Sequence, residues 1–190
     1  MTTDLAAARY NMVESQVRPA DVTDHAIQDA MRRVERERLL PPDKRALAYA
    51  DIEPPYGGGR CLMRPRDAAK LLQAARPRAG ERALAIAAPY LAEVLGEMGL
   101  SVERLDQGDL TRPAQGGYDV IVCEGAVSAT PPAWIEALAL GGRLAVVERT
   151  GPVGKARVYL KGEGGVGARE SFDAMASLLP GFEPLQQFAF

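Results

Sequence analysis

The run Tyr118-Asp119-Val120-Ile121-Val122-Cys123 is the most restrictive stretch of the sequence. A nearly continuous β-branched apolar run of this length reads as a strand. Because it does not alternate with polar residues, it must be covered on both faces. Strands of that kind belong to parallel sheets with crossover helices packed above and below, so an α/β protein is predicted.

The flanking sequence agrees. After Gly80, short apolar runs alternate with amphipathic helices. Strands are predicted at Ala83 to Ala87, Leu100 to Leu105 and Leu144 to Val147. Between the first two, Leu91, Val94, Leu95 and Met98 share one helical face, and Gly99 supplies the stop. Thr130 and Pro131 read as the N-cap and first position of a helix over Trp134 to Leu140. Ala156 to Leu160 and Ala168 to Phe172 flank the glycine-rich turn Gly162 to Gly167 as an antiparallel hairpin, and a last short strand is predicted near Phe188 to Phe190.

The first eighty residues read as mostly helical. Thr23 can cap a helix carrying Ile27, Ala30, Met31 and Val34 on one face. Asp51 to Arg64, with Pro54-Pro55 and Gly57-Gly58-Gly59, reads as an ordered loop. A helix then begins near Pro65, buries Ala68, Leu71, Leu72 and Ala75, and ends before Pro77. A length of 190 residues suits one domain, a helical cover over 1–80 on a sheet core over 81–190.

Several function classes are disfavoured. A net charge of −2 gives no general attraction for nucleic acid. The stretch Arg32 to Arg38, alternating Arg and Glu around Val34, reads as a solvated helix face. Cys61 and Cys123 match no metal-ligand spacing, and the lone His25, beside Asp24, builds no metal site or triad. The apolar runs are too short to cross a bilayer and no signal core is visible, so a cytoplasmic protein is expected. Trp134 reads as core packing.

A set of short motifs falls in a telling order: Asn11-Met12-Val13-Glu14 with Gln16-Val17-Arg18, Ala48-Tyr49 with Asp51, and Gly59-Arg60 followed by Pro65. Tyr118 to Val122 with Glu124-Gly125-Ala126, Gly141-Gly142-Arg143-Leu144 and Gly151-Pro152-Val153-Gly154 continue it. Together they resemble the protein-L-isoaspartate O-methyltransferase family, especially its alphaproteobacterial members. The resemblance implies a Rossmann-like methyltransferase fold and methyl transfer from S-adenosylmethionine to the carboxylate of an isoaspartyl or D-aspartyl residue in a damaged protein. It implies substrate-loop residues Gly59 and Arg60, and a serine whose place Met63 takes. It implies cofactor contacts at Ala87 and Tyr90 in the turn after the first core strand, at the acid Glu103, and at Asp109 in the Gly108-Asp109 turn.

The chain departs from that pattern at three places. The turn Ala87-Ala88-Pro89-Tyr90 has no glycine to let a cofactor approach the backbone, and Pro89 removes an amide donor. The Met63 thioether cannot donate a hydrogen bond as a hydroxyl does. Asp106 to Gly117 is too short and broken for a crossover helix with its own strand, so one edge strand-helix unit is predicted to be missing. Read from the residues alone, Glu103 is better taken as an exposed strand-end carboxylate and Asp109 as part of a plain turn. Because each loss removes a different contact set, the preferred expectation is a catalytically impaired or inactive relative that holds no cofactor and acts through protein binding or self-assembly. The alternative is an active S-adenosylmethionine-dependent carboxyl methyltransferase repairing isoaspartyl proteins.

Overall fold

A computed structural model describes residues 4–184. The predicted strand at Phe188 to Phe190 lies outside the described residues. Helix α1 (Leu5–Met12) is capped by Asp4, whose carboxylate accepts from the Ala7 amide at 3.0 Å. A π turn (Val13–Val17) and a short 3-10 turn (Arg18–Ala20) lead to α2 (His25–Arg33). Here Asp24, not Thr23, is the cap, accepting from the Ala26 and Ile27 amides. The Thr23 amide instead donates to Gln73 at 2.7 Å. Ile27, Ala30 and Met31 are buried as their spacing predicts, and His25 is exposed. Val34 has already left the helix with extended backbone angles.

The charged stretch beyond it is not a solvated helix face. Arg36–Leu39 form a 3-10 turn that buries Arg36 completely and Glu37 almost so. The loop that follows contains a small antiparallel hairpin, β1 (Pro55–Gly57) and β2 (Arg60–Cys61). Helix α3 (Pro65–Ala75) starts with proline at its first position, where no amide hydrogen is needed, and ends at Arg76 in the left-handed conformation.

The core elements are β3 (Arg82–Ile86), α4 (Pro89–Glu97), β4 (Ser101–Leu105), β5 (Tyr118–Val127), α5 (Pro132–Glu136), β6 (Leu138–Glu148), β7 (Gly154–Gly162) and β8 (Gly165–Ala174). They form one sheet in the order β4-β3-β5-β6-β7-β8, parallel through β6 and antiparallel beyond it. This is the α/β architecture predicted, with the C-terminal hairpin. Asp106 to Gly117 contributes neither helix nor strand, which leaves β4 at the edge. Helix α5 is shorter than predicted because β6 already begins at Leu138, opposite Tyr118. Thr130 does not cap it: its hydroxyl donates to Glu148 at 2.6 Å.

Val120, Ile121, Val122 and Cys123 are all fully buried, as a central strand requires. Burying each apolar side chain contributes about 1.5–3 kcal/mol. On one face Val120 and Val122 meet α3 and α4. On the other Ile121 and Cys123 pack with Trp134, Leu110, Leu179 and Phe182, and the Trp134 indole donates to the Leu110 carbonyl at 2.8 Å. Strand β5 runs on past its predicted end to Val127, where the segment after β8 crosses it. The Ala126 amide donates to Ser177 O and the Leu179 amide to Ala126 O, both at 2.8 Å.

That crossing needs Gly125. Its φ is +138°, and an added Cβ would lie 2.8 Å from Leu179. Gly125→Ala is therefore expected to lower stability by about 2–4 kcal/mol, from backbone strain plus overpacking. Urea denaturation checks this; an unchanged midpoint would contradict the packing of Leu179 on β5.

Candidate cofactor crevice

In a sheet of this topology, ligands bind beyond the carboxyl ends of the strands where neighbouring connections diverge. Here that place is framed by the turn after β3, the end of β4, Cys123-Glu124-Gly125 on β5, and the β1-β2 hairpin. Ala87, Ala88, Tyr90, Cys123 and Glu124 are all fully buried. Ala87 has φ +46°, a left-handed conformation that disfavours any side chain.

The backbone groups at this turn are engaged within the protein. The Ala87 amide donates to Leu105 O at 3.0 Å, and Ala87 O accepts from the Tyr56 hydroxyl at 3.4 Å. Pro89 has no amide hydrogen. The Tyr90 and Leu91 amides, at the start of α4, donate to Glu124 Oε2 at 2.9 and 3.4 Å. Glu124 Oε1 accepts from the Met63 amide at 3.1 Å. The carboxylate therefore sits where the amides of a helix start attract an anion.

Arg36 balances it. Its guanidinium lies over the Tyr90 ring, 4.5 Å from the centroid, and donates to Ala48 O at 2.8 Å and to Met63 O. Burial pushes the Glu124 carboxyl up to about 7, while the Arg36 charge and the three amides hold it down. Burial likewise pushes up the Tyr90 hydroxyl, opposed by Arg36.

Of the residues proposed from sequence, Met63, Ala87 and Tyr90 converge around Glu124. Met63 does so through its backbone, its side chain being core. Arg60 reaches the same end of the sheet and donates to Asp106 O at 2.6 Å, while Gly59 lies where a Cβ would stand 3.1 Å from Pro180. Glu103 is not brought there: it pairs with Leu84 within the strand, two positions short of the end of β4, and accepts from Arg82 at 3.4 Å. The carboxylate at the strand's end is Asp106, whose Oδ2 accepts from Arg104 at 2.8 Å and whose buried Oδ1 has no partner among the described residues. Asp109 is exposed and accepts from the Thr111 amide and hydroxyl, a local turn contact. Cys61 is half-buried, and burial raises its thiol. Among the described residues no group of three or more His, Cys, Asp or Glu could hold a metal, and no helix is long and apolar enough to cross a membrane.

Comparison with known proteins defines the class. Two solved structures superpose on most of the chain. One, a protein-L-isoaspartate O-methyltransferase, has a TM-score of 0.74 and 19% identity over 92% of this chain and 67% of its own. The other, from Plasmodium falciparum, is assigned as a protein-L-isoaspartate O-methyltransferase and was solved with S-adenosyl-L-homocysteine. It has a TM-score of 0.75 and 15% identity over 90% of this chain and 97% of its own. The fold is thus that of the Rossmann-like S-adenosylmethionine methyltransferases.

Sequence relatives narrow it further. The protein-L-isoaspartate O-methyltransferase of Methylorubrum populi is 34% identical, the match covering 74% of this chain and 79% of that protein. One from Rhodopseudomonas palustris is 33% identical over 75% and 69%. No family model matches the chain. The chain belongs to the protein-L-isoaspartate O-methyltransferase family.

The Glu124 site has a pH signature. A carboxyl raised from 4.5 to about 7 stays protonated in the fold where the unfolded chain is already ionised. The folded state then binds more protons, so this group's contribution to stability falls as pH rises through that window, by up to about 1.4 kcal/mol per pH unit. Glu124→Gln is expected to lack this slope. Parallel urea titrations from pH 5 to 8 test it, and equal slopes in the two proteins would remove the assignment.

Proposed function

We propose that this member of the family does not transfer methyl groups and acts by binding protein or by self-assembly. In this reading the cover over 1–80 and the sheet core over 81–190 work as one unit. The observation that carries the proposal is the engagement of the backbone donors at the turn after β3: Ala87, Tyr90 and Leu91 donate internally and Pro89 cannot donate. S-adenosylmethionine does not fit these residues. Freeing the Tyr90 and Leu91 amides would break two bonds to the buried Glu124 carboxyl and leave it unsatisfied, at about 1–3 kcal/mol each, and lower affinity by a factor on the order of ten or more. The buried turn and the missing edge unit support the same reading. The free thiols Cys61 and Cys123 support a reducing compartment, and we assign the cytoplasm.

One observation favours a second reading, an active carboxyl methyltransferase that repairs isoaspartyl proteins with S-adenosylmethionine. Asp106 Oδ1, without a partner among the described residues, lies at the end of β4, where an acid could take sugar hydroxyls. In that reading Asp106 does what sequence comparison gave to Glu103.

Calorimetric titration with S-adenosylhomocysteine separates the two. No binding heat is expected up to millimolar ligand, nor any methyl transfer to an isoaspartyl peptide. Ala87→Gly alone is expected to restore neither, because the donors at Tyr90 and Leu91 stay engaged. Micromolar binding by the unaltered protein would overturn the proposal in favour of the active enzyme.

A further inference from the structure

We propose that the basic cleft between the C-terminal end of α3 and the free edge of β8 docks an extended acidic protein segment, which adds to β8 as a further strand. The cleft lies away from the crevice. A space of about 490 Å³ is lined by Arg76, Arg78, Arg143 and Arg169 over an apolar floor of Val158 and Leu160. An adjoining space of about 750 Å³ shares Arg76, Arg78 and Arg169 and adds Lys70.

The charges here are unbalanced in a protein whose net charge is −2. Among the described residues, Lys70, Arg76, Arg78 and Arg169 form none of the ion pairs, whereas most other surface arginines do. The acids nearest in the fold are already committed. Glu81 pairs with Arg143 at 2.7 Å and accepts from the Arg78 amide, and Asp24 caps α2. On β8 itself, Glu170 pairs with Arg157 and lies opposite it in register, one position on from the Arg169–Val158 pair, so it faces the other side of the sheet.

Two further features identify the occupant. Among the described residues, strand β8 is hydrogen-bonded only to β7, and most of its ten residues are exposed, so a long row of backbone donors and acceptors faces no other described strand. A segment paired there would direct alternate side chains toward α3, where carboxylates meet the unpaired cations. Arg76 holds a left-handed conformation, φ +51°, at a helix end where glycine is the unstrained residue. A side chain kept at that cost points to use of the side chain. The apolar floor and open strand edge favour a peptide over a nucleic acid, and the Phe172 ring that a base could stack on is covered by Lys70 at 4.8 Å.

This inference stands whether or not the protein transfers methyl groups, and its test measures no methylation. A fluorescein-labelled peptide of five Glu-Thr repeats is titrated with the full chain and followed by anisotropy. Micromolar binding is expected, weakened at least about tenfold in the triple variant Arg76→Gln/Arg78→Gln/Arg169→Gln, and lost when alternate peptide amides are N-methylated. Arg76→Gly is expected to weaken binding while raising the thermal midpoint, which separates loss of docking from loss of fold. The proposal is overturned if the peptide does not bind, if the triple variant or the N-methylated peptide binds equally well, or if an oligothymidylate of matched charge binds more tightly than the peptide.

Discussion

Glu124 is fully buried, and much of the molecule is arranged around that fact. Its two carboxyl oxygens accept from Met63 before α3 and from Tyr90 and Leu91 at the start of α4, while the residue itself belongs to β5. Arg36 supplies the opposite charge and reaches Ala48 and Met63, so the N-terminal cover is tied to the sheet through the same site. A buried arrangement of this kind, in which two groups attract at a distance without a direct ion pair, adds little net stability over an apolar replacement of the same shape, because both lose their hydration. Its effect here is to specify position: Arg36 cannot be buried unless β5, α4 and the loop before α3 stand together.

Which parts of this were visible in the sequence follows from what periodicity encodes. Spacing of apolar residues reports which face is buried, and α2, α3, α4 and the central strands obey it. The alternation of Arg and Glu over Arg32 to Arg38 is the same whether the segment is a solvated helix or a 3-10 turn with one residue pointing inward, and only the neighbouring Tyr90 and Met63 decide. Glu124 stood among the quoted motif residues, but nothing local places it against α4; the parallel register of β5 on β3 does, Cys123 lying opposite Ile86. The same logic separates Glu103 from Asp106. Both are acids near the end of a strand, and the pairing of Leu105 with Ile86 puts Asp106 beyond the end and Glu103 within the ladder.

The missing edge unit has consequences beyond the crevice. It exposes β4, and an exposed strand invites pairing with another chain unless it is short or charged. Strand β4 is both: it has five residues, and Glu103 and Arg104 are held by Arg82 and Asp106. The shortened connection is also tied down, since Leu110 is buried and its carbonyl accepts from Trp134. The edge at β8 is twice as long and carries an unneutralised cation on the side facing α3. Among the described residues one edge of the sheet is thus protected and the other is open.

That asymmetry bears on how a fold outlives changes in its site. A TM-score of 0.74 at 19% identity means that the backbone path persists while most side chains differ. What the path requires is the buried β5 and its helices, and those requirements are met by apolar pattern and size rather than by particular residues. The turn after β3 is fixed instead by hydrogen bonds within the protein. Once Ala87, with its left-handed φ, can be held there by the Leu105 and Tyr56 bonds, the sheet keeps its order whether or not a cofactor ever enters. The proposed loss of methyl transfer therefore demands nothing of the core, and recognition can move to an edge and cleft that lie apart from the crevice.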